Sequence, residues 1–171
     1  MKVKLKIKAI VTDLVLAETY AASVKDGFFT ADDGRVLPFE RISEVCDEVI
    51  AYAVTGEYTV ENGRISLTYH EPETVGCDNA VTSLSFDEDD RSALTMVRSG
   101  DMTAAFRFDN KEKRQLCSYE TPFIPIEFIV NTRRMENSVG EQGGMISLDY
   151  FLEVRGVNTE RNRLTVEVTP L

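Results

Sequence analysis

A chain of 171 residues with a formal net charge of −10 has the length of one domain. It has too little basic surface for nucleic acid or anionic lipid, since both are recognised by Lys and Arg meeting phosphate. Its 43% hydrophobic and 28% charged residues are the proportions of a chain that buries a core, which argues against disorder.

The chain opens with Val3, Leu5, Ile7 and Ala9 alternating with Lys2, Lys4, Lys6 and Lys8. Strict alternation of this kind predicts a strand over residues 1–11 with one buried and one solvated face. The lysine stripe reads as a guarded outer face rather than a binding surface. These lysines, and Asp13 after them, also break up the apolar stretch that a secretory signal would need. No later run reaches the roughly 18–20 apolar residues of a membrane span.

Residues 12–47 do not follow this pattern and are expected to form an insertion between the first two barrel strands. Leu14, Ala17, Ala21 and Val24 allow a short helix ending at Gly27. Phe39, Ile42, Val45 and Val49 allow another from Pro38, with a turn at Asp32-Asp33-Gly34 between the two.

From Val49 onward apolar alternation resumes, with turn signals roughly every 8–12 residues. Strands are predicted at 49–60, 64–71, 80–86, 92–98, 102–108, 113–120, 126–135, 145–155 and 161–169. Short polar links between most of them make sequential antiparallel neighbours, and closing the sheet removes its two edges. The expected fold is all-β, a closed, mostly up-and-down antiparallel barrel. A type I′ turn at Asn62-Gly63 sets Glu61 opposite Arg64, Val60 opposite Ile65, Tyr58 opposite Leu67 and Gly56 beneath Tyr69. A three-residue turn over Ser99-Gly100-Asp101 sets Arg98 opposite Met102 and Met96 opposite Ala104.

Several phrases occur in a recognisable order. They are Val54-Thr55-Gly56-Glu57-Tyr58, Asn62-Gly63-Arg64-Ile65, Met96-Val97-Arg98-Ser99-Gly100, Tyr119-Glu120-Thr121-Pro122-Phe123 and Gly144-Met145-Ile146-Ser147-Leu148-Asp149-Tyr150. In this respect the chain resembles the YwiB-like family of uncharacterised bacterial proteins. The resemblance implies a calycin or lipocalin-like barrel in a bacterial cytoplasm, and carries over no catalytic or binding residue. The chain departs from the family pattern in its long 12–47 segment and at Ile124, where that pattern implies glycine.

Little in the sequence points to catalysis. His70 and Glu71 are adjacent in a strand and so face opposite ways. Asp87-Glu88-Asp89-Asp90 lacks the spacing and glycine of a calcium loop. No G-x-S-x-G elbow or phosphate loop occurs, and Gly140 through Gly144 reads as a mobile connection into a strand. Cys46, Cys77 and Cys117 are scattered; they predict free thiols and a reducing cytoplasm, with Cys117 a core residue rather than a nucleophile. Neither a metal nor a cofactor is expected, and the chain reads as a non-enzyme.

The informative residues are charges on the apolar face. Arg98 continues the face of Leu94 and Met96, and Glu71 that of Ile65, Leu67 and Tyr69. Both are expected to point inward near a strand end, with Glu71 the first candidate partner of Arg98. Tyr69 and Tyr150 would line any cavity beside them. These four residues define the candidate ligand site of a module that binds a small molecule or peptide. The alternative is a protein-interaction or assembly role through residues 12–47.

Overall fold

The lysine alternation becomes strand β1 (Lys2–Asp13), with Val3, Leu5 and Ile7 buried and the four lysines exposed. The structure is a computed structural model and describes residues 1–75 and 79–171. After β1 come helix α1 (Leu14–Ala22), short strands β2 (Phe28–Thr30) and β3 (Val36–Pro38), a 3-10 turn at Phe39–Arg41 and the single turn of α2 (Ser43–Cys46). A long strand β4 (Asp47–Glu61) returns the chain to the sheet. Then follow β5 (Arg64–His70), β6 (Val81–Asp87), β7 (Ala93–Ser99), β8 (Thr103–Asp109) and β9 (Arg114–Glu120). The last strands are β10 (Ile126–Asn137), β11 (Gly144–Val154) and β12 (Val157–Pro170).

Strands β4 to β12 pair each with the next, and β1 pairs antiparallel with both β4 and β12, closing a ten-strand barrel. The hairpin of β4 and β5 has the register expected from sequence, with Glu61 opposite Arg64, Val60 opposite Ile65 and Gly56 opposite Tyr69. Asn62 and Gly63 take φ of 51° and 76°, the paired positive values of a type I′ turn. At Gly56 a Cβ would stand 2.7 Å from the Thr68 carbonyl oxygen and 2.9 Å from Leu5 Cδ1, so only glycine lets β1, β4 and β5 approach this closely.

Four expectations need correction. In the β7–β8 hairpin, Met96 faces Phe106 and Arg98 faces Ala104, a shift of two residues that makes Gly100-Asp101-Met102 the loop. The inward faces are unchanged, because an even shift preserves the side on which each side chain lies. Second, Thr12 and Asp13 belong to β1 and Asp47 to β4, so the segment outside the barrel is residues 14–46. Third, the second helix is a 3-10 turn and one α turn, and Val49 lies in β4. Fourth, Gly143 and Gly144 are packed, not loose. A Cβ on either would lie 2.4 Å from a backbone oxygen, that of Val168 or Ser138.

Helix α1 is capped by the Asp13 carboxylate, which accepts from the Leu16 amide at 2.9 Å. Its Tyr20 packs on Phe29 of β2 with ring centroids 5.1 Å apart, and Ala31, Leu37 and Cys46 complete a small second core. This unit rests on β1, β4 and β12.

Inside the barrel the two halves differ. One end is filled by Leu5, Ile65, Phe86, Leu94, Phe108 and Leu148, all at most 1% exposed. Each such burial stabilises by about 1.5–3 kcal/mol. Toward the other end the inward positions of β1 shrink to Ala9 and Val11, and those of β12 run from Val168 and Val166 through Leu164 to Asn162 and Glu160. The core gives way to a hollow there.

Candidate functional site: the open half of the barrel

The hollow is a cavity of about 500 Å³. Its apolar wall includes Ala9, Ile50, Met96, Leu152 and Leu164, and its aromatic wall Tyr52, Tyr69, Phe106, Tyr119, Phe128 and Tyr150. No residue of 14–46 lies on the wall, so the α1 unit flanks the barrel and does not plug it.

Cross-strand register assembles the polar part. Tyr69 pairs with Thr82, Thr82 with Arg98, Arg98 with Ala104, and Ala104 with Tyr119, a row around the inner wall from β5 to β9. Glu71 stands two residues beyond Tyr69 on the same face, its amide donating to the Ala80 carbonyl at 2.8 Å. Its Oε1 receives Arg98 Nε at 2.8 Å, Arg98 Nη2 at 2.7 Å and the Thr82 hydroxyl at 2.6 Å. Its Oε2 is buried and accepts no hydrogen bond among the described residues. The Glu71 side chain is 1% exposed and that of Arg98 33%, so the carboxylate is sealed while the guanidinium reaches toward the mouth.

The structure therefore brings all four sequence-predicted residues, Arg98, Glu71, Tyr69 and Tyr150, to one cavity, and pairs Arg98 with Glu71. Burial pushes the Tyr69 hydroxyl far above the usual phenol range, with the neighbouring Tyr52 and then Glu71 adding to the effect. Burial likewise raises Tyr150 and Tyr52. These hydroxyls stay protonated at neutral pH and serve as hydrogen-bonding groups.

Sequence reasoning missed Thr82, Tyr119 and Phe128 of the wall, and three further residues toward its open end. Asn162, whose buried Nδ2 has no partner among the described residues, and Glu160 continue the inward face of Val168, Val166 and Leu164. Tyr52 continues that of Gly56 and Val54. Extending the face by two residues at a time, the argument that found Arg98 and Glu71, reaches all three.

The other residues singled out lie elsewhere. His70 is exposed on the outside, and Asp90 caps a surface turn by accepting from the Ser92 amide at 2.9 Å. Cys46 and Cys117 are buried free thiols, and Cys77 lies outside the described residues. Among the described residues no group of His, Cys, Asp and Glu is arranged to hold a metal ion. No helix among the described residues is long and apolar enough to cross a membrane.

Comparison with known proteins places this architecture. The chain is 24% identical over 119 residues to the uncharacterised β-barrel protein YwiB of Bacillus subtilis (strain 168), covering 70% of this chain and 80% of that one. The crystal structure of the Bacillus subtilis ywiB protein matches 99% of this chain and 92% of its own, with a TM-score of 0.67 at 20% identity. That likeness shows a shared barrel fold. The family model described as Domain of unknown function (DUF1934) matches residues 40–166, from just before α2 into β12, and the chain belongs to that family of YwiB-like barrels.

Proposed function

We propose that this protein is a cytoplasmic binding module, a lipocalin-like barrel whose open half takes up a small amphipathic molecule, and that it is not an enzyme. One observation carries the reading: a cavity of about 500 Å³ walled by apolar and aromatic side chains, with a sealed carboxylate that keeps one oxygen unpartnered among the described residues. Binding sites have this character, concave and mostly apolar with a few fixed polar groups. The ionisable wall groups do not form a set for chemistry. Glu71 is bound up with Arg98 and Thr82, and the wall tyrosines are held protonated. The buried free thiols Cys46 and Cys117 suit a reducing compartment.

The assembly reading rests on exposed apolar side chains in the flanking unit, Phe28, Val36 and Phe39. It is the weaker one, because these side chains are not gathered around any polar feature that would select a partner.

Nile red, an uncharged dye that brightens and shifts to the blue in apolar surroundings, tests the proposal. The native protein should enhance its emission. Ala9→Trp, which places an indole in the cavity, should abolish the enhancement with the far-UV circular dichroism unchanged. Equal enhancement in both proteins, or none in the native one, would overturn the reading.

A further inference from the structure

Two charged side chains reach the open part of the hollow, and they have opposite signs. Arg98, on β7, has a side chain 33% exposed, and Glu160, on β12, is partly exposed; both line the cavity. The strand order sets them across from each other. Between β7 and β12 lie β8, β9, β10 and β11 on one side, and β6, β5, β4 and β1 on the other. Glu71, the third charged group of the wall, is 1% exposed and sealed behind Arg98. The hollow therefore has a cationic pole and, on the facing wall, an anionic one.

The anionic pole is not answered by the protein. Among the described residues the Glu160 carboxylate makes no ion pair or hydrogen bond. Its cross-strand neighbours are Leu152 and Asp13, and Asp13 turns away to cap α1. The adjacent arginines of β12 are engaged elsewhere, Arg161 with Asp149 and Arg163 with Asp47. At the cationic pole Glu71 fixes the guanidinium, whose fork of N–H donors is able to serve two acceptors at once. Both charges reach into the same space: burial raises the Tyr150 hydroxyl most, Glu160 raises it further and Arg98 opposes. Between the poles stand the rings of Tyr52, Tyr69, Phe106 and Phe128. They offer apolar contact, and the tyrosines add hydroxyls that both donate and accept.

We propose that the ligand is a short apolar peptide of two or three residues with both termini free, its carboxylate on Arg98, its ammonium on Glu160 and its side chains against the rings. This rests on the reading of the barrel as a binding module and specifies its ligand. A simple amine would leave Arg98 unused and meet its positive charge. A simple acid would meet Glu160 with like charge. A molecule carrying both charges at separated ends answers both poles and enters with no net charge.

Titration calorimetry at pH 7 with leucyl-phenylalanine, its N-acetyl form and its C-terminal amide tests the assignment. The free dipeptide should bind the native protein about ten-fold or more tighter than either blocked form. In Glu160→Gln the advantage over the N-acetyl form should shrink to about three-fold or less, while the advantage over the amide persists. The native series decides by itself if that variant does not fold. Equal or tighter binding of either blocked form overturns the peptide assignment and leaves the binding module standing. Nile red binding with none of the three peptides taken up has the same consequence. Failure of all three together with Nile red removes the binding module as well.

Discussion

Replacing Arg98 by alanine would strand the Glu71 carboxylate inside the barrel. Oε1 would lose guanidinium contacts at 2.7 and 2.8 Å and keep only the Thr82 hydroxyl at 2.6 Å, on a side chain 1% exposed. Breaking a buried pair from one side costs about 3–5 kcal/mol, whereas an exposed pair contributes about 0–1 kcal/mol. Arg98 is 33% exposed, so water enters the vacated space. The loss should therefore fall below the buried range, at about 2–3 kcal/mol. Glu71→Gln removes the charge that needs compensation, so Arg98→Ala should do less harm in that background. A coupling energy of about 1–2 kcal/mol is expected. Urea midpoints of the native, two single-variant and double-variant proteins, fitted with a common slope, give the cycle. A coupling indistinguishable from zero would refute the claim that the guanidinium holds the carboxylate in the barrel.

Gly56→Ala should cost about 1–3 kcal/mol in the same assay, because the added methyl meets the rigid Thr68 carbonyl at 2.7 Å; an unchanged midpoint would mean β4 can move away. Tyr69→Ala, at a residue 5% exposed, should cost about 3–5 kcal/mol and leave Nile red binding in place, since it widens the cavity; loss of dye from a folded variant would contradict that. Burial pushes the Cys117 and Cys46 thiols up, so both should resist Ellman's reagent in the native protein. In guanidinium without reductant three thiols per chain should react, and a lower count would disprove the free-thiol assignment. Asp149, held below its ordinary value by the Arg161 guanidinium at 2.8 and 3.0 Å, contributes stability that is complete above the unfolded value near 3.8. That contribution is lost as the pH falls through the depressed folded value. Arg161→Met should therefore lower the urea midpoint at pH 6 more than at pH 2, and an equal drop at both would argue against the linkage.

Where period-two alternation meets strong turn chemistry, the sequence is legible to the residue. Asn62-Gly63 allows only a tight primed turn, so every pair from Glu61–Arg64 to Gly56–Tyr69 follows. Ser99-Gly100-Asp101-Met102 carries no such constraint, and the register there could not be placed closer than two residues. The faces survived because alternation fixes parity, which is why Arg98 and Glu71 could be brought together. Strands β2 and β3 are three residues each, too short for any period to register. Glu160 was lost because β12 begins at Val157, four residues before its apolar alternation becomes evident. Whether the barrel would be filled or hollow was beyond pattern reading, since large inward residues occur in both halves. Phe86 and Phe108 pack the closed end, whereas Phe106 and Tyr150 stand on the cavity wall.

The seam between β1 and β12 ties folding to the order of synthesis. β1 can zip to β4 once the first third of the chain is made, but its other neighbour is the last strand to emerge. The Arg163–Thr12 hydrogen bond across that seam spans 151 residues. Until β12 arrives, the nascent sheet has two open edges, β1 and β11, for as long as the ribosome needs to reach that strand, and such edges recruit strands from other chains. The lysine comb along β1 puts a row of like charges beside one of them, so two unfinished copies meeting edge to edge would repel. The same closure makes folding slow, since pairs so distant in sequence must find each other before the cavity exists. A ligand of the hollow half can therefore stabilise the finished barrel but cannot template it.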